Sequence, residues 1–142
     1  MALMTARYAN RNLNDTDRFV AVQASQGRPR YPLGYPLAES LRLIAPSRRL
    51  FGMDHDEFEV EYRKQLDVAT MSAIRYELEK MQKKHPGKHL VLLCFEDVRK
   101  EDDWRHRTMF GKWWAERTGE FVPELEEPGK APKKKLVQGT LL

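Results

Sequence analysis

Apolar residues fall into two kinds of pattern along this chain. Three runs are short and compact: Leu3-Met4-Thr5-Ala6-Arg7-Tyr8, Phe19-Val20-Ala21-Val22-Gln23-Ala24 and Leu90-Val91-Leu92-Leu93-Cys94-Phe95. Runs of this length and type predict strands. The third has no polar alternation, as expected of a strand covered on both faces. Elsewhere the apolar positions repeat at helical spacing. Pro36 opens a predicted short helix to Ile44, with Leu37, Leu41 and Ile44 on one face and Pro46 as its stop. Asp54 followed by Glu57 predicts a capped helix start, and Phe58, Tyr62 and Leu66 its buried stripe. Thr70 predicts the cap of another helix, which carries Met71, Ile74, Leu78 and Met81 and ends at His85-Pro86-Gly87. A last helix is predicted from about Trp104 to Thr118, closed by Gly119. Asn10 to Asp17 reads as a loop. So does Ser25 to Pro36, which is long for a compact domain.

Strands separated by helices predict an α/β fold: a small three-layer domain with a short central parallel sheet flanked by helices. The 142 residues fit one domain, 1–125, followed by a flexible basic tail, 126–142, that contains Lys133-Lys134-Lys135. Ligands of such sheets bind beyond the carboxyl ends of the strands. Arg7-Tyr8, the loop Ser25 to Arg30 and the segment Glu96 to Arg107 are predicted to converge there.

The single cysteine, Cys94, excludes a disulfide within the chain and argues against a structural zinc site. No metal or cofactor is expected. No apolar run approaches the ~18 residues of a membrane span, and the first residues lack the pattern of a signal peptide. Cytoplasmic residence without a membrane partner is the expectation.

The net charge of +4 is modest, but its distribution is uneven. Residues 7–49 carry eight arginines against three acids, and no lysine precedes Lys64. Arginine suits bidentate capture of phosphate or carboxylate. The strongest candidate site is the cluster Trp104-Arg105-His106-Arg107. It puts His106 and Arg107 in the first turn of a helix, where basic side chains oppose the helix dipole. An anion would relieve this. It is either a ligand or the nearby acids Asp97, Glu101, Asp102 and Asp103. Cys94, inside an apolar strand, reads as an inert buried thiol.

These residues also carry a family resemblance. Thr5-Ala6-Arg7-Tyr8, Gly27-Arg28-Pro29-Arg30-Tyr31-Pro32, Ala45-Pro46 with Leu50-Phe51-Gly52, Leu92-Leu93-Cys94-Phe95-Glu96-Asp97, His106-Arg107 and Trp113-Trp114 through Val122-Pro123-Glu124-Leu125 resemble the bacterial and phage family called domain of unknown function 488. The resemblance spans the chain to Leu125. It implies a compact α/β fold with a central parallel sheet, and no established activity. The family usually has Cys-His-Arg where this chain has Arg105-His106-Arg107. A thiol at that helix start would be an activated nucleophile, and its replacement favours binding over catalysis there.

The expected function is therefore binding of an anionic ligand, a nucleotide or nucleic acid, in DNA metabolism or phage–host interaction. Arg7, Tyr8, Arg28, Arg30 and Arg107 would hold it beside His106. One alternative is an enzyme that uses His106 as general acid/base on a phosphorylated or glycosidic substrate. Another is an interaction protein. Its C-terminal Gln138-x-x-Leu141-Leu142 resembles the short peptides that dock bacterial proteins on the DNA sliding clamp, and Gln138, Leu141 and Leu142 would make the contact.

Overall fold

A computed structural model describes residues 2–95 and 106–128. Four parallel strands form one sheet: β1 (Leu3–Arg7), β2 (Phe19–Gln23), β3 (Glu39–Ser40) and β4 (His89–Cys94), in the spatial order β1-β4-β2-β3. The apolar β4 lies between β1 and β2, and its last five residues are buried. Three α-helices accompany the sheet: α1 (His55–Ala69), α2 (Met71–Lys84) and α3 (His106–Thr118). This is the expected small α/β domain with a short parallel sheet.

The two outer layers are unequal. Alternate strand residues Leu3, Val20, Val22, Leu90 and Leu92 share a core with Phe58, Tyr62 and Leu66 of α1, Ile74, Leu78 and Met81 of α2, and Met109, Phe110, Trp113 and Trp114 of α3. All three α-helices thus pack on one face. The opposite face, with Ala6, Phe19, Ala21, Val91 and Leu93, is covered by Tyr8, Leu13, Tyr35 and Leu125. Leu13 comes from a single 3-10 turn, Arg11–Asn14, inside the segment read as a loop.

The predicted caps form. Asp54 accepts from the Glu57 N–H at 2.9 Å. Gly119 at φ 77° returns its N–H to Ala115 O at 2.8 Å, closing α3. Thr70 both ends α1 and caps α2, accepting from the Ala73 N–H at 3.1 Å. It does so at φ 75° and ψ 141°, a region costly to any residue with a Cβ. Glycine loses only a few tenths of a kcal/mol as a cap. Thr70→Gly is therefore expected to stabilise the fold by about 1 kcal/mol, read from the urea midpoint. A lower midpoint would mean that the threonine cap outweighs the strain.

The helix predicted from Pro36 to Ile44 does not form. Ala38 N–H bonds to Ala21 O and Leu41 N–H to Gln23 O, so the segment pairs with the edge of β2 as β3. A 3-10 turn, Arg42–Ile44, follows. Leu37 packs on the loop-covered face, whereas Leu41 and Ile44 enter the helix-side core. Satisfying the open strand edge outweighs the weak helical spacing of three residues.

The chain after α3 returns to the sheet. Thr5 N–H bonds to Pro123 O at 2.9 Å and Leu125 N–H to Thr5 O at 2.8 Å, a parallel bridge that covers the free edge of β1. Asn10 Nδ2 donates to the carbonyls of Leu125 and Glu126, and Arg7 Nη2 to Glu127 Oε1 at 2.8 Å. Residues 126 and 127, expected at the start of the tail, are thus tied to the domain. Among the described residues, no helix is long and apolar enough to cross a membrane.

Candidate functional site

The carboxyl ends of β1, β4 and β2 lie side by side. Arg7 of β1 is in register with Cys94 of β4, and Gln23 of β2 with Leu93. Cys94 has the parity of Leu90 and Leu92, so it faces the helices, and it is fully buried. There it meets the first turn of α3. Arg107 Nη1 donates to Cys94 Sγ at 3.2 Å, and His106 also hydrogen-bonds the thiol.

Both side chains are held in place. Arg107 is buried, and its Nε and Nη2 donate to the Glu124 carboxylate at 3.0 and 2.8 Å. Glu124 in turn accepts from Thr5 Oγ1 at 2.8 Å. Burial opposes a charge on Arg107, but Glu124 and Cys94 outweigh it, and the guanidinium stays protonated. His106 Nε2 lies 3.1 Å from Ala24 O. A carbonyl only accepts, so this nitrogen carries a proton and the bond fixes the ring. The buried Tyr62 ring meets the imidazole edge-on at 5.9 Å, and its hydroxyl donates to Ile44 O.

The consequence falls on the thiol. Burial alone would push Cys94 up. The charge and hydrogen bond of His106, then those of Arg107, outweigh it and bring the thiol down from 9.0 to about 7. The fully buried thiol thus faces a buried guanidinium and a half-buried imidazole.

Cys94 is buried, as expected from its strand, but its surroundings are not apolar alone. The sequence reading judged the thiol by its apolar neighbours along the strand. Its chemistry is set instead by two cations delivered twelve and thirteen residues later. Glu124 supplies one anion at this helix start, paired with Arg107. The acids Asp97, Glu101, Asp102 and Asp103 lie outside the described residues, as do Trp104 and Arg105.

The five basic residues expected to hold an anion divide into two groups. Arg107 and His106 are built into the thiol cluster, and Arg7 is paired with Glu127. Arg28 and Arg30 are exposed on the loop after β2. Arg28 Nε donates to Gln23 Oε1 at 3.2 Å, which orients it over the carboxyl end of β2. Tyr8 is buried, with its hydroxyl 2.6 Å from Ser25 Oγ and its ring 5.0 Å from Phe95. Ser25 donates on to Gly27 O at 2.7 Å, so Tyr8 braces this loop.

Cys94, Glu124, Gln23 and Ser25 were missed from sequence. Cys94 alone left a signal: it ends the central strand on the same face as Leu90 and Leu92, where parallel sheets place their sites. Gln138, Leu141 and Leu142 lie outside the described residues. Among the described residues no group of three or more His, Cys, Asp or Glu side chains is placed to hold a metal ion. Comparison with protein-family models, curated proteins and solved structures returns no match to this chain.

Proposed function

We propose that this chain is an enzyme whose nucleophile is the Cys94 thiolate, acting on an anionic, phosphorylated substrate. The observation that carries the reading is the buried contact of Arg107 Nη1 with Cys94 Sγ, completed by His106 and locked by Glu124. Cysteine held against two cations at the carboxyl edge of a parallel sheet is costly to bury for packing alone. In the family that the sequence resembles, a cysteine stands at the position of Arg105. Here β4 supplies the thiol to the same helix start.

The step balances without a cofactor. Cys94 is fully buried, so local opening at the carboxyl edge of the sheet must first expose it. The thiolate then attacks phosphorus, a sulfur–phosphorus bond forms and the phosphorus–oxygen bond to the leaving group breaks. His106, as imidazolium, gives the departing oxygen its proton. Water then cleaves the sulfur–phosphorus bond, with neutral His106 taking its proton. Arg28, exposed and oriented by Gln23, is the cation available to meet the incoming anion.

Pre-steady-state hydrolysis of p-nitrophenyl phosphate tests this. A burst of p-nitrophenolate is expected from the wild-type chain, absent in Cys94→Ser and at least about 100-fold slower in His106→Asn. A burst that survives Cys94→Ser, or wild-type protein with no release above the buffer rate, overturns the assignment.

A further inference from the structure

On the loop-covered face lies a cleft of about 300 Å³. That is the lower end of the range for small-molecule sites. Its floor is formed by Tyr8 and Tyr35, both buried. Their polar groups are already used. Tyr35 OH donates to Tyr8 O at 2.6 Å, and Tyr8 OH is paired with Ser25. The Asn10 amide, also in the wall, is spent on Leu125, Glu126 and Asn12. Recognition in this cleft therefore falls to three rim residues: Tyr31, Arg11 and Asn14.

Each offers a different contact. Tyr31 is 48% exposed, a large ring left uncovered where Tyr8 and Tyr35 are not. Its face suits a planar ring. Arg11 brings a guanidinium to the rim, suited to a phosphate. The Asn14 amide carries both a donor and an acceptor, the pair that reads the edge of a base. Asn14 is also set against a cradle. A Cβ at Gly34 would stand 2.5 Å from Asn14 Oδ1, so only glycine lets the amide lie there.

Tyr8 ties the cleft to the end of β4: it lines the cleft, and its ring contacts Phe95. We propose that this cleft binds a nucleoside monophosphate, with its base on Tyr31 and Asn14 and its phosphate on Arg11.

Isothermal titration of the full chain with the common nucleoside monophosphates tests it, with nucleoside alone and inorganic phosphate alone as separate arms. At least one mononucleotide is expected to bind more tightly than either fragment. Tyr31→Ala and Arg11→Ala should each weaken it about tenfold or more, and Gly34→Ala should weaken it by displacing Asn14. Val68→Ala, an exposed position of α1 outside the cleft lining, should bind like the wild type. Binding unchanged in both Tyr31→Ala and Arg11→Ala overturns the cleft, as does no detectable mononucleotide binding. Phosphate alone binding as tightly as the nucleotide removes the base contact and overturns it too. Failure here with the Cys94 burst intact leaves the proposed function standing, and the reverse result leaves the cleft standing.

Discussion

Removing both cations, as His106→Ala with Arg107→Ala, is expected to move the titration of Cys94 from about 7 to above 9.0. The reason is the balance within the site. Burial is the largest single influence on this thiol, and it opposes ionisation. Only the two cations reverse it. Without them the buried thiol keeps its proton, and the thiolate population near pH 7 falls about 50-fold or more. The chain has one cysteine, so ultraviolet thiolate absorbance reads this group alone. Each single substitution is expected to give an intermediate midpoint. Arg107→Ala also leaves Glu124 without its partner, but the Glu124 side chain is 48% exposed and water can take it over. The loss of stability from that source is therefore below the ~3–5 kcal/mol of a fully buried broken pair. His106→Asn disturbs the packing less and serves if the double variant does not fold. A midpoint that stays near 7 in His106→Asn and in Arg107→Ala would refute the electrostatic account of the site.

The same shift couples to stability. The folded-state value lies below the ordinary one, so between about 7 and 9.0 the unfolded chain binds more protons than the folded chain. Stability from this group therefore rises with pH across that window. It is fully present above 9.0 and is lost as pH falls through about 7. Urea midpoints of the wild type should climb over this range relative to those of Cys94→Ala. Parallel curves for the two proteins would contradict the shift.

Trp114→Ala is expected to cost about 3–5 kcal/mol. On a chain of this size that lowers the melting temperature by on the order of 10 °C. Trp114 is fully buried, its ring stacks on Phe110 at 5.8 Å and its Nε1 donates to Glu120 at 3.1 Å. Arg75 covers the ring at 5.2 Å. No neighbour can fill the space left by an indole, so a cavity remains. Trp114 also seats the helix that carries His106 and Arg107. The Cys94 midpoint in Trp114→Ala should consequently rise as well, which separates loss of seating from loss of core alone. Val68→Ala is the control: Val68 is 83% exposed, and its change should stay within about 0.5 kcal/mol.

The candidate site was half legible in the sequence. Basic residues at a helix start demand an anion, and that rule singled out His106 and Arg107 without any structure. It did not say which anion answers. Glu124 reaches Arg107 only because residues 123–125 bridge back to β1, a pairing between residues more than a hundred positions apart. Cys94 was judged by its strand neighbours, which carry no information about charges arriving from another element.

What the sequence determined was local. Strand and helix periods placed β1, β2, β4 and the three α-helices. Capping chemistry at Asp54, Thr70 and Gly119 set their limits, since caps are made with neighbours a few residues away. What only the tertiary structure decided was non-local. Open edges of β1 and β2 recruited residues 123–125 and 39–40, overriding a weak helical spacing, because an unpaired backbone edge costs more than three apolar positions can repay. The order β1-β4-β2-β3 then brought Cys94 against His106 and Arg107. The ionisation of a buried group depends on the charges beside it in space, and the linear sequence does not specify that distance.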